Sequence, residues 1–381
     1  MKISNDNIYL EEDLEKFFKI NNSVCFNSEL EFDILILPSF NQWEEIKNHF
    51  RLDFRYFDKL LFKIHFKRNN HLRDHERCNI LNFLLIGYYY SKDVRYFNEF
   101  LFFYEENERY VELMTISKSI FYKNIVNHKH IHPLTSTEKV SSFIAQIKKK
   151  DILRKIEKPV NIGLIGNPIF FKKIKAQLNK IGLNVSVYLV KYHQNKYLNA
   201  LFNFPLFWPV LRLLRIIPNY KVVNHRDKNL SLAEKGLKGQ VTIGFHKLGI
   251  IIRDNIIENF SKGLLNDHWA VLPFVRGRSS IEFSLLFGFE VGATVHLVTN
   301  KIDEGAIVNV YTYKIDKIHS IKGIRKKVRN DLTTRIVDAM TKYISSNYRT
   351  IENNPNMGLT YYSIHPLLAN YIETDILNKS V

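Results

Sequence analysis

From Val160 onward the sequence alternates short apolar runs with stretches of helical spacing, and this alternation limits the fold more than any other feature. VNIGLIG (160–166) is an apolar strand ending in glycine. IFFKKIKAQLNKIG (169–182) repeats apolar residues at three- or four-residue steps and stops at a glycine, the pattern of a helix. VSVYLV (185–190) and VTIGF (241–245) are further strands, and GRSSIEFSLLFG (277–288) reads as a helix between two glycines. ATVHLV (293–298) and AIVNVYTYKI (306–315) close the unit as strands separated by an Asp-Glu-Gly turn. Strands alternating with helices build a mostly parallel sheet covered on both faces. The expected class is α/β with a Rossmann-like sheet.

A Lys-rich, helix-like stretch from Ala145 to Lys158 ends at Pro159 and marks the clearest boundary. The chain is expected to divide into an α/β-mixed N-terminal domain of unassigned function (1–150), the sheet domain (159–316) and a C-terminal helical extension (317–381). In the first of these, EFDILILP (31–38) and ERYVELMTIS (108–117) have strand patterns, while ILNFLLIGYYY (80–90) and FNEFLFFYEE (97–106) suit helix or strand. Residues 320–347 read as one amphipathic helix, with Ser320 as N-cap and Ile321, Ile324, Val328, Leu332, Ile336, Met340 and Ile344 on one stripe. LTYYSIHPLLANYIETDIL (359–377) has enough apolar residues to dock back on the body or on a second subunit, which leaves a homodimer open. LNALFNFPLFWPVLRLLRIIP (198–218) is aromatic and broken by Pro205 and Pro209. It is read as a core-packing crossover helix with a broken start; the alternative is a segment lying in a membrane interface with Arg212 and Arg215 at the headgroups.

Two cysteines, Cys25 and Cys78, have neither CxxC nor His-paired spacing, which argues against a zinc site or disulfide framework. The N-terminus lacks the pattern of a signal peptide, and no window offers the roughly 20 apolar residues of a membrane span. A cytoplasmic protein without a bound metal is expected. The net charge of +17 favours anionic partners: nucleotide-linked substrates, folate polyglutamate, RNA or acidic lipid.

The chemistry is concentrated in LLNDHWAVLPFVRG (264–277) and GATVHLVTNKIDEG (292–305). Asn266 and His268, two residues apart on a strand, project from one face. Active sites of open parallel sheets lie at the carboxyl ends of the strands. Asp303, in a turn before Gly305, is placed to meet the His-Asn pair across the cleft. An amide and an imidazole can donate hydrogen bonds to the oxyanion of acyl transfer to an amine, and a carboxylate can orient the imidazole and help remove the ammonium proton. His296, His225 and Asp227 are read as structural or loop residues.

The set Asn-x-His-x-x-x-Leu-Pro-x-x-Arg-Gly, Gly-x-Thr-Val-His and Asp-x-Gly resembles the 10-formyltetrahydrofolate-dependent formyltransferases, which include methionyl-tRNA, glycinamide ribonucleotide and amino-sugar enzymes. It falls here on Asn266, His268, Leu272, Pro273, Arg276, Gly277, Gly292, Thr294, Val295, His296, Asp303 and Gly305. The resemblance covers roughly residues 159–316 and implies Asn266, His268 and Asp303 as catalytic residues, with 10-formyltetrahydrofolate as formyl donor. It implies a folate pocket along Gly249, Ile250, Ile251 and Ile252 together with the loop that carries Asn300 and Lys301, and an acceptor side near Trp269 and Arg276. Trp269 and Ala270 stand where the family has Pro followed by Ser or Ala, so the acceptor is less determined than the donor. The catalytic unit comes second in the chain and is followed by a helix, which suits amino-sugar enzymes better than the tRNA enzyme, so nucleic acid is the second choice of partner. A nucleotide-linked amino sugar is the expected acceptor. The alternatives are a methionyl-tRNA formyltransferase-like enzyme and a catalytically silent folate-binding relative.

Overall fold

The computed structural model describes chiefly residues 53–68, 74–105, 132–148, 160–190, 206–223, 241–248, 252–316, 318–345 and 348–378. The packing of the chain defines two units, Met1–Pro133 with Tyr362–Ile372, and Leu134–Tyr361 with Glu373–Val381.

In the first unit a 3-10 turn, Phe54–Phe57, leads into α1 (Asp58–Phe66), followed by α2 (Asp74–Ser91) and α3 (Val94–Glu105). Both apolar segments that suited helix or strand are therefore helical. Their aromatic content lets them pack as rings: Phe50, Phe57, Phe83 and Tyr96 make edge and tilted contacts at 4.6–5.9 Å between centroids. Among the described residues of this unit, buried Glu99 pairs with Arg68 and buried Asp93 with Arg95, as burial of a charge requires. The strand patterns at 31–38 and 108–117 lie outside the described residues.

The second unit starts with α4 (Thr137–Lys148), so this helix is not part of the first unit, where the sequence boundary at 150 puts it. Then come β1 (Asn161–Gly166), a 3-10 turn at Pro168–Phe171, α5 (Lys172–Lys180), β2 (Asn184–Val190), α6 (Phe207–Leu213) and β3 (Lys221–Val223). They are followed by β4 (Ile243–Lys247), the short α7 (Asp254–Ile257), β5 (Leu264–His268), β6 (Val275–Gly277), α8 (Ser280–Leu286), β7 (Gly292–Leu297) and β8 (Ile307–Thr312). The C-terminal helices are α9 (Ile321–Asn330) and α10 (Leu332–Tyr343), and β9 (Leu359–Tyr361) follows.

Seven strands form one sheet in the order β3-β2-β1-β4-β5-β7-β8. The first five run parallel, and β7 and β8 add antiparallel at the edge. The sheet is thus the mostly parallel α/β arrangement that the alternation implies. On one face Ile162, Leu164, Ile243, Phe245 and Leu265 pack with Ile174 and Leu178 of α5 and with Ile336, Ala339 and Met340 of α10. On the other, Ile165, Tyr188 and Leu264 pack with Ile252, Ile256 and Phe260.

Two elements depart from the sequence pattern. The single helix expected over 320–347 is two helices meeting at Asp331, which ends α9 with ψ near 0°. Its carboxylate accepts a 2.8 Å hydrogen bond from the Tyr313 hydroxyl, so the turn is tied to the chain after β8. Ser320 caps α9 as expected, accepting from the Gly323 N–H at 3.1 Å. In the segment 198–218 the described residues include the crossover helix α6, between β2 and β3; Trp208 and Ile217 pack inward with Leu189, while several of its leucines face outward.

Candidate functional site

Strand β5 places its residues alternately on the two faces of the sheet, as the two-residue period requires. Asn266 and His268 face one side; His268 meets Asp303 directly, and Asn266 is linked to it through His296. His268 Nδ1 lies 3.2 Å from Asp303 Oδ2, and His268 Nε2 donates to the Val275 carbonyl at 2.7 Å. Asn266 is half-buried, with its amide 3.3 Å from His296 Nε2. That same nitrogen is 3.4 Å from Asp303 Oδ1, while His296 Nδ1 donates to the Leu297 carbonyl at 2.7 Å. The expected trio is therefore a quartet, closed by His296.

His296 is legible only through pairing. It sits opposite Asn266 in the antiparallel β5–β7 register, next to an irregularity between Val295 and His296 that re-aims the strand. Nothing local to its sequence separates it from a structural histidine.

Asp303 is held by backbone geometry that the neighbouring glycines make possible. It adopts a left-handed conformation, φ 53°, at the tip of the β7–β8 connection. At Gly305 a Cβ would stand 1.8 Å from the Leu297 carbonyl oxygen, so only glycine lets the turn close. The Gly277 N–H donates to Asp303 Oδ2 at 2.9 Å, and Asn353 Nδ2 donates to the carbonyls of Asp303 and Gly305, both at 2.8 Å. Burial by itself raises the carboxyl pKa, but His268, His296 and the Gly277 N–H outweigh it and hold Asp303 well below the usual carboxylate range. It is a carboxylate at neutral pH.

A further histidine lies beside this group. His246, on β4, is buried, and its Nδ1 has no hydrogen-bond partner among the described residues. Burial, helped by His296 and Lys247 and opposed by Asp303, pushes its pKa down to about 3.

The opposite face of β5 carries Asp267, which is sealed. Arg335 of α10 grips it with both arms, Nε to Oδ1 at 2.7 Å and Nη2 to Oδ2 at 2.8 Å. Burial raises the Asp267 pKa, while Lys247, Arg335 and the Trp269 indole N–H bring it below its ordinary value. The Trp269 N–H reaches Asp267 Oδ2 at 2.8 Å, and Lys247 Nζ and the Arg329 guanidinium lie 5.0 and 5.9 Å from the indole ring centroid. Trp269 is thus tied to the Asp267 side and bordered by two cations.

The remaining expected site residues divide. Gly249, Ile250 and Ile251 lie outside the described residues. The Ile252 side chain is buried in the core with Ile256 and Phe260, so only its backbone is available to a ligand. Asn300 donates to Asp254 at 3.2 Å, and Lys301 is exposed, 3.6 Å from Glu304. Arg276, expected to meet the acceptor, is buried instead and donates to the carbonyls of Pro355 and Gly358 at 3.2 and 3.0 Å. It braces the chain after α10.

Comparison with known proteins gives a consistent result for this part of the chain. Residues 160–340 match the family model described as "Formyl transferase". The methionyl-tRNA formyltransferase of Finegoldia magna is 30% identical over 136 residues, 34% of this chain and 44% of that protein. The bifunctional polymyxin resistance protein ArnA of Wigglesworthia glossinidia brevipalpis is 30% identical over 125 residues, 32% of this chain and 17% of that protein. The chain therefore spans less than half the length of either relative. A sugar N-formyltransferase structure from Shewanella sp. superposes with a TM-score of 0.42 at 14% identity, covering 56% of this chain and 86% of that one.

Proposed function

We propose, from the premise that residues 160–340 are a formyltransferase-family domain, that the protein transfers a formyl group from 10-formyltetrahydrofolate to the primary amine of a nucleotide-linked amino sugar. The observation that carries this reading is the 3.2 Å approach of His268 Nδ1 to an ionised, partly buried Asp303, with the half-buried amide of Asn266 on the same face of β5. Amide and imidazole donors next to a carboxylate fit a formyl donor, because acyl transfer to an amine needs an oxyanion partner and a place for one proton.

The donor supplies an electrophilic formyl carbon. The Asn266 amide donates to the oxygen that becomes negative as the amine attacks. His268 keeps Nε2 on Val275, so Nδ1 is the nitrogen that shares a proton with Asp303. The carboxylate and this nitrogen together accept the proton that the amine loses and return it to the departing folate nitrogen as the C–N bond breaks. His296 Nε2 stands between Asp303 Oδ1 and the Asn266 amide, donating to the first when protonated and accepting from the second when not. Arg329, exposed beside Trp269, supplies positive charge suited to the phosphates of the acceptor, while Lys247 is already paired with Asp267.

The test is to incubate the protein with 10-formyltetrahydrofolate and a panel of nucleotide-linked 3-amino and 4-amino sugars, with methionyl-tRNA in parallel, and to follow the 28 Da gain expected on formylation, roughly one added CO, by mass spectrometry. A formylated sugar nucleotide supports the proposal. Formylated methionyl-tRNA alone would move the acceptor to tRNA, the reading favoured by the relatives of that name. Tight binding of a stable folate analogue with no formylated product would leave a binding protein.

A further inference from the structure

We infer that the outer face of α6 and the turn before α5 form a docking surface for an anionic lipid bilayer. The large apolar side chains exposed in this region are concentrated. Leu206, Val210, Leu213 and Leu214 are 62, 46, 82 and 61% exposed. They recur at i, i+4, i+7 and i+8, one stripe of a helix. The inner stripe of the same helix, Trp208 with Leu211 nearby, already packs on Leu189 and Ile217. The outer leucines are therefore a second apolar face that the sheet does not cover.

Ile169 and Phe170, each 46% exposed, extend this surface from the turn Pro168–Phe171. A 2.8 Å hydrogen bond from Lys172 Nζ to the Arg215 carbonyl fastens the two segments side by side. Exposed Lys173, Arg212 and Arg215 complete a basic rim. The surrounding sequence is one-sided in charge: residues 158–226 contain eleven Lys or Arg and no Asp or Glu.

That combination selects the occupant. A second copy would bring the same cations against themselves, with no carboxylate in the stretch to pair them. An RNA would stack on several aromatic faces, whereas the side chains named on this surface are aliphatic apart from Phe170. An anionic bilayer takes both halves, with leucines among the acyl chains and arginines and lysines at the headgroups. No helix among the described residues is long and apolar enough to cross a membrane, so the attachment is peripheral.

Flotation of the full chain with phosphatidylcholine vesicles, with and without phosphatidylglycerol, tests this inference. The protein should float with the mixed vesicles, float poorly with phosphatidylcholine alone, and detach in high salt. The pair L213D and L214D should lower partitioning by more than about tenfold, since two leucines leave the acyl region. R212Q and R215Q should each lower it about fivefold. Thermal unfolding and folate-analogue binding should be unchanged in all of these variants. The inference is overturned if the wild type does not float, or if the aspartate pair floats as well as it does. It is equally overturned if ultracentrifugation shows a wild-type dimer that the aspartate pair converts to a monomer, because the surface would then belong to a second copy.

Discussion

The two faces of β5 use nearly the same chemistry to opposite ends. Asp267, buried, and Asp303, partly buried, are both carboxylates held below their ordinary pKa by nearby donors. Asp267 meets a permanent cation in a two-pronged pair, with α10 packed over it. Asp303 meets imidazoles, whose protons can leave, at 3.2 and 3.4 Å. A carboxylate facing guanidinium is fixed in place; an imidazole, unlike a guanidinium, has a neutral form that can return a proton to its partner. One residue's step along a strand therefore separates a structural bolt from the pair proposed to react.

Exchanging the chemistry of each face should break the two in different ways. The largest effect is expected at the reactive pair. Asp303→Asn keeps an acceptor for the Gly277 N–H but cannot take a proton. Turnover in the formylation assay should fall by roughly 10²–10⁴, with the unfolding midpoint and folate-analogue affinity nearly unchanged. Full activity in this variant would remove Asp303 from the chemistry.

At the bolt the loss should appear in stability. Arg335→Met leaves Asp267 buried with Lys247 as its remaining cation, and should cost about 3–5 kcal/mol in urea unfolding. The double change Asp267→Leu with Arg335→Met should recover most of that. If it recovers none, the pair does more than satisfy itself.

His246 sharpens the contrast through pH. Its folded pKa, about 3, lies below the ordinary value of 6.5, so between these limits the unfolded chain binds a proton that the folded chain refuses. The stability is complete above pH 6.5 and is lost as pH falls toward 3. The slope contributed is about 1.4 kcal/mol per pH unit. His246→Phe should flatten this acid limb in unfolding curves measured across that range; an unchanged slope would place the acid sensitivity elsewhere.

The smallest effect belongs to the edge of the bolt. The Tyr313 hydroxyl accepts from Arg335 at 2.6 Å and donates to Asp331 at 2.8 Å. Tyr313→Phe should lower stability by about 1 kcal/mol and leave turnover untouched.

Local pattern makes much of the second unit legible. Strand period and glycine stops identify β1, β2, α5, α8, β7 and β8, and two-residue spacing alone puts Asn266 and His268 on one face of their strand. Asp303 is legible from the turn before Gly305 and from the Asp-x-Gly motif that the chain shares with the family. His296 and Arg335 are not, since each depends on a partner 30 or 68 residues away, fixed by strand register in one case and helix docking in the other. The break at Asp331 is hidden because the apolar stripe runs straight through it. Arg276 misleads for a related reason. A buried guanidinium that holds backbone carbonyls and one that meets a ligand look the same in sequence.

Arg276 also shows where the working unit ends. The stretch that matches the formyltransferase family stops at residue 340, yet Asn353 holds the Asp303 loop by two carbonyls, and Arg276 grips Pro355 and Gly358. β9 lies in register beside Gly277, whose N–H serves the carboxylate. The tail after α10 thus acts as a buttress for groups that come earlier in the chain. A protein shortened to its recognisable domain would keep every side chain of the proposed site and lose the masonry that aims them.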